Sequence, residues 1–287
     1  MKVLYLDCFS GISGDMTLAA LVDAGASLNQ IEQELKQLPI ESFHLQTSKV
    51  VKKGVSAFKI DVLLDPETEI VHHRHYTDII KMIDDSSLSD RVKRDAKKIF
   101  HVIGTAEGKI HQLPLEKVHF HEVGAIDSIV DIIGVAIALD LLGIEQIYTS
   151  PIPLGMGQVK IDHGIYPVPT PATLEILKGL PIRSSKVPFE MTTPTGAGIA
   201  AALGTGFEGY PSMVVKMIGY GAGTKDFEDR PNVIRAVIGE TQELYVTEPS
   251  FHIHKHDHDH SHDHNHEHHN HKHSHKHTFK HVHRHEQ

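Results

Sequence analysis

Apolar residues run unbroken through Val3-Leu4-Tyr5-Leu6, as in a short buried strand, and Gly11 and Gly14 then punctuate a turn. The period next lengthens to that of a helix. Met16, Ala19, Ala20 and Leu21 share one face of a segment expected to be helical from Asp15 to Ala24, closed by Gly25. Leu28, Ile31, Leu35 and Leu38 repeat that spacing. Phe43 to Val51 and Val55 to Leu64 are rich in strand-forming residues and flank Lys52-Lys53-Gly54, which predicts a hairpin. Pro66 lies in a charged loop, and a polar helical region follows from Tyr76 to Gln112. Val118 to His121 is short and extended. Val123 to Leu142 is the most apolar helical stretch, and Gly143 ends it. From Gln146 short strands alternate with Gly/Pro turns. Helices are expected near Ala172 to Leu177 and Ala197 to Leu203, and closing strands at Val214 to Gly219 and Val233 to Ile238.

This pattern predicts a mixed α/β fold: a sheet with packed helices and glycine-rich strand-to-helix turns, plus a disordered His-rich C-terminal tail. Three parts are expected: 1–66, an N-terminal α/β part with the glycine-rich loop; 67–248, a second mixed α/β part; and 249–287, the tail. Past Pro249-Ser250 only Phe251, Ile253, Phe279 and Val282 are large and apolar, too few to offset the entropy of ordering the chain without metal.

Composition narrows the setting. No apolar run reaches the roughly 20 residues that a bilayer span needs. The N-terminal apolar stretch is too short for a signal peptide and ends at Asp7, and the lone Cys8 cannot build a disulfide framework. A cytoplasmic protein without a membrane partner is expected. The net charge is −9, and the tail balances five Lys/Arg against five Asp/Glu, so the body carries the whole deficit. An acidic body argues against nucleic acid and suits a handler of cations.

Seventeen of the 26 histidines fall between His252 and His285. They alternate through His254, His256, His258, His260, His262, His264, His266 and His268, and continue at His269, His271, His273, His275 and His277. Imidazole suits late first-row ions. A ligand at every second residue can wrap an ion in many equivalent ways, which gives capacity and not one rigid site. Asp257, Asp259, Asp263 and Glu267 add oxygen ligands. Composition leaves Ni, Cu and Zn open.

Three constellations carry the body's candidate chemistry. Asp7 to Met16 turns from strand to helix through glycines, so Ser10, Gly11, Ser13 and Gly14 can present hydroxyls and free N–H groups to an anion. A tight turn with Asp15 as a helix cap is the plainer alternative. In the second, His119 and His121 point to one side of an extended segment, while Asp127 and Asp131 are i, i+4 on the next helix. That set could form a metal or acid/base centre. Asp131 stands in an otherwise apolar helix and needs a partner. The third is glycine turns: Thr193, Thr195 and Gly196 before an alanine-rich helix, and Gly221 and Gly223 after a strand. Together they suggest an anionic, nucleotide-like ligand. His72-His73-Arg74-His75 is a smaller cluster, either a relay to the tail or an exposed loop.

Asp7-Cys8-Phe9-Ser10-Gly11-Ile12-Ser13-Gly14-Asp15-Met16, His119-Phe120-His121-Glu122-Val123-Gly124 with Asp127, Thr193-Pro194-Thr195-Gly196 and Gly219-Tyr220-Gly221-Ala222-Gly223 together resemble the LarC nickel-insertion family. The resemblance runs from residue 1 to about 240 and includes the His-rich segment. It implies nickel as the metal and a chelatase activity. Such proteins insert Ni(II) into pyridinium-3,5-bisthiocarboxylic acid mononucleotide, forming two Ni–S bonds and one Ni–C bond. The product is the nickel-pincer cofactor of lactate racemase and related enzymes. The reaction depends on CTP with Mg or Mn. A base must take the ring proton, and His119 or His121, oriented by Asp127, is nominated for it. Family members often continue into a C-terminal domain, in some cases joined by a ribosomal frameshift. This chain is therefore expected to be the short form, partnered by that domain or its frameshifted form, with a homo-oligomer also in view. A non-enzymatic nickel store or metallochaperone is the competing reading.

Overall fold

The structure is a computed structural model, and it describes residues 1–67, 74–120, 123–161 and 164–241. Strand β1 (Lys2–Asp7) turns into α1 (Gly14–Asp23), followed by α2 (Leu28–Leu35) and strands β2 (Phe43–Lys52) and β3 (Val55–Leu64). The short β4 (Arg74–His75) precedes α3 (Tyr76–Asp85) and α4 (Asp90–His111), and β5 (His119–Phe120) precedes α5 (Ile126–Leu141). Next come β6 (Gln146–Thr149), β7 (Ile152–Leu154), β8 (Gln158–Ile161), β9 (Gly164–Pro167), α6 (Pro171–Ile176) and β10 (Ile182–Ser184). Helix α7 (Pro194–Leu203) and strands β11 (Gly204–Gly206), β12 (Val214–Ala222) and β13 (Val233–Glu240) complete the set.

Seven strands form one sheet in the order β11-β6-β1-β13-β12-β3-β2. β1 lies at its heart, parallel to β6 and antiparallel to β13, with Leu4 opposite both Ile147 and Ile238. Its even positions Leu4 and Leu6 enter the main core, as the two-residue period requires. The hairpin forms as expected. Phe43 pairs with Leu64 and Lys52 with Val55, and the loop residues Lys53 and Gly54 both have positive φ, 48° and 84°. Two such residues make the turn whose twist matches the strands it joins.

Two expectations are refined. The polar region 76–112 is two helices, because Ser86 and Ser89 take over backbone bonding between them: Ser86 Oγ donates to the Ile83 carbonyl, and Ser89 Oγ accepts from the Val92 N–H at 3.2 Å. Helix α2 stops at Leu35, three residues short of Leu38, which precedes Pro39 and is disfavoured in helical geometry.

Helix α1 lies against the sheet, and α5 packs against α1, α2 and α4. The approach of α1 is close enough to need glycine in β12. A Cβ at Gly221 would stand 1.8 Å from the Met16 carbonyl oxygen, and one at Gly219 would stand 2.1 Å from that of Ala20. Helix α5 is buried from Ile129 to Leu139, with Ile132, Ile133 and Ile137 wholly enclosed. Each such side chain contributes about 1.5–3 kcal/mol of transfer free energy. Among the described residues no helix is long and apolar enough to cross a membrane.

Candidate functional site

The turn after β1 and the turn before α7 are joined through backbone. Ile12 N–H donates to the Met191 carbonyl at 3.1 Å, and Thr193 N–H donates to the Ile12 carbonyl at 3.1 Å. Two glycines permit it. Gly11, at φ 110°, has no room for a side chain beneath Met191, and a Cβ on Gly196 would stand 2.0 Å from the Ile12 oxygen. Helix α5 then brings Asp127 and Asp131 to the same place, where Asp131 packs directly on Gly14. The first turns of α1, α5 and α7 thus open onto one cavity of about 480 Å³. Ser13, Gly14 and Asp15 line it from the first turn, Val123, Asp127, Ser128 and Asp131 from the second segment, and Thr193, Pro194 and Thr195 from the third. The β2–β3 hairpin adds Gln46 and the stretch Ile60 to Leu63, and Glu190 completes the wall.

The lining is acidic. Asp15, Asp61, Asp127, Asp131 and Glu190 all face the cavity, and no Lys, Arg or His does so among the described residues. Three helix N-termini offset part of this charge. Asp61 is paired with Lys59, Asp127 accepts from the Ser128 N–H at 2.8 Å, and Glu190 accepts from the Thr170 hydroxyl at 3.4 Å. Asp15 accepts from the Ser13 hydroxyl. Burial nevertheless pushes its carboxyl above the usual range, against the hydrogen bonds from Ser13 and the Met16 N–H. Asp131 is the extreme case. Burial drives its carboxyl well above the usual range, with the charges of Asp15 and Asp127 adding to the shift and a hydrogen bond from the Asp15 N–H opposing it. Its Oδ1 is buried and has no hydrogen-bond partner among the described residues. Among the described residues no three His, Cys, Asp or Glu side chains converge tightly enough to enclose an ion.

A larger cavity, about 760 Å³, lies over α4. Its lining carries Lys93, Arg94, Lys97 and Lys98 against Asp84 and Asp90, and Lys97 meets Asp84 at 2.5 Å. It holds none of the residues singled out from the sequence.

The structure therefore gathers Ser13, Gly14, Asp127, Asp131, Thr193 and Thr195 into one site and places the other described candidates elsewhere. Ser10 is fully buried and donates to the Pro231 carbonyl at 2.7 Å. Gly11 and Gly196 hold the two turns together. Gly221 and Gly223 face α1, with Gly223 also against Asn232. His119 is exposed on β5, its ring 3.8 Å from that of His75, and is not among the lining residues. Asp7 accepts from Arg235 at 2.5 Å and is not among the lining residues. His121, His72, His73 and every tail histidine from His254 to His277 lie outside the described residues. Sequence reasoning missed Asp61, Glu190 and Gln46. Nothing in their local sequence signals them, because only the packing of the hairpin and of the 188–193 loop brings them to the cavity.

The sequence profile described as nickel insertion protein matches residues 4–266. The chain is similar to a pyridinium-3,5-bisthiocarboxylic acid mononucleotide nickel insertion protein of Geobacillus kaustophilus (strain HTA426), at 56% identity over 260 residues, covering 88% of this chain and 63% of the relative. A protein of the same description from Staphylococcus epidermidis (strain ATCC 12228 / FDA PCI 1200) is 55% identical over 241 residues, covering 84% of this chain and 60% of the relative. The chain thus spans about three fifths of the length of these relatives. No solved structure matches.

Proposed function

Because this chain belongs to the nickel insertion protein family, we propose that it binds Ni(II) and inserts it into pyridinium-3,5-bisthiocarboxylic acid mononucleotide to form the nickel-pincer cofactor used by lactate racemase-type enzymes. The observation that carries this reading is the convergence of three separate turns on one cavity lined by five carboxylates. The reaction needs an ion held beside two thiocarboxylate sulfurs, and a base for the ring proton that leaves as the Ni–C bond forms. Hydroxyls at Ser13, Thr193 and Thr195, with the N-terminal turns of three helices, suit the anionic groups of the substrate. Of the two histidines nominated for the base, His119 does not line the cavity and His121 lies outside the described residues, whereas Asp127, expected only to orient them, does line it. We assign the proton to Asp127. The described lining carries no Lys or Arg to meet a triphosphate. CTP, with Mg or Mn, is therefore assigned to the complete protein and not to this cavity. The tail histidines serve to gather nickel.

The test is incubation of the purified chain with the unmetallated mononucleotide, Ni(II) and CTP, with and without a separately supplied C-terminal domain. Nickelated nucleotide, followed by mass, is the expected product when the domain is present. If the chain loads nickel but never yields that product even with the domain, it is a nickel store and the insertion reading fails.

A further inference from the structure

The carboxylates of the cavity are not equally provided for. Asp61 has Lys59, Glu190 has the Thr170 hydroxyl, and Asp127 has a backbone N–H. Asp131 is 9% exposed, packs on Gly14 and leaves Oδ1 buried with no partner among the described residues. An unmet buried polar atom costs about 1–3 kcal/mol, more if it is charged. A side chain that is both acidic and unmet, in a cavity whose described lining holds no cation, calls for a cation from outside. Asp15 is the natural second ligand, since its own N–H donates to Asp131 and the two carboxylates are thereby tied to one spot.

We propose that Asp131 and Asp15 seat a divalent cation in this cavity, held by oxygen on one side and open to further ligands on the other. The protein side cannot close a coordination shell alone, because no third described His, Cys, Asp or Glu converges on the spot. An ion to be handed over needs such a half-open seat. Only the ion's destination rests on the insertion reading above; the seat itself does not.

The seat is made of oxygen, whereas the tail is mostly imidazole, so Mn(II) distinguishes them: carboxylate suits Mn and imidazole suits Ni, Cu and Zn. Titration of the full chain with Mn(II), followed by loss of the free-ion paramagnetic resonance signal, tests the proposal. Wild type is expected to bind Mn(II). Asp131→Asn and Asp15→Asn are each expected to weaken it by about tenfold or more, since even residues behind a metal ligand cost that much. Asp226→Asn, whose carboxylate meets Lys52 on the surface, is expected to leave it unchanged. Thermal melting confirms that each variant folds, and if Asp131→Asn does not, Asp15→Asn decides. Equal Mn(II) affinity in wild type and the folded variant overturns the proposal. No mononucleotide is present, so a chain that inserts nickel yet fails here sinks this inference alone.

Discussion

Asp95 on α4 and Asp131 on α5 are buried to almost the same depth, 8% and 9% exposed. Their surroundings are opposite. Asp95 is met by Arg94 at 3.0 Å and Arg91 at 3.6 Å, so its helix carries its own counter-charges. Asp131 shares its cavity with four more carboxylates and leaves one oxygen unmet. At equal burial, one carboxylate is matched by its own helix and the other is not. Asp95 is charge-matched as it stands, whereas no described Lys, Arg or His lines the mouth of α5.

That contrast can be broken in four ways, from the largest expected effect to the smallest. Asp131→Asn should lower nickel insertion about 100-fold, close to 2.7 kcal/mol of transition-state stabilisation, when turnover is followed with the C-terminal domain present. A loss of less than about threefold, under 0.7 kcal/mol, would put Asp131 in the same class as Asp95. Gly14→Ala should destabilise the fold by about 1–3 kcal/mol through overpacking, because the new Cβ would stand 2.6 Å from Asp131. Denaturant midpoints measure this, and an unchanged midpoint would mean that Asp131 moves aside freely.

On the other flank, Asp95→Asn should cost about 1 kcal/mol, since its arginines are partly exposed and screened. That corresponds to a melting temperature lower by about 2–4 °C, with insertion unaffected. A fall in insertion matching that of Asp131→Asn would erase the distinction between the two aspartates. The last test is the pH dependence of the ion-free chain. Asp131 has a raised folded-state pKa. Below about pH 3.9, the ordinary value, it is protonated whether folded or not and contributes nothing. As pH rises from there toward its raised value, only the unfolded state ionises, so stability falls. Asp131→Asn should flatten that slope in melts recorded in chelator and leave the variant more stable than wild type at neutral pH. A wild-type slope that Asp131→Asn does not alter would assign it to other groups.

Much of the architecture was legible in the sequence because it depends on local period and turn chemistry. The β2–β3 hairpin follows from two strand-like runs around Lys53-Gly54, and α5 from the longest apolar helical stretch. Asp131 stood out as a charge among isoleucines. The site was legible only in pieces. Ser10 and Ser13 look alike in the sequence, yet one hydroxyl is consumed by Pro231 and the other faces the cavity. Gly196 and Gly221 both resemble ligand-cradling glycines, but each makes room for another piece of backbone. Glycine records a close approach without saying to what.

By itself the sequence determined the mixed α/β class, most strands and helices, the acidic body, the histidine-rich tail and the three turns worth watching. These rest on neighbours within a few residues, where side-chain period and backbone preference act. Only the tertiary structure decided that residues 13–15, 127–131 and 193–195 share one cavity, that Asp61 and Glu190 join them, and that one oxygen of Asp131 is left without a partner among the described residues. Those facts depend on which helices pack on which strands, and contacts between residues so far apart in the chain leave no local signature in it.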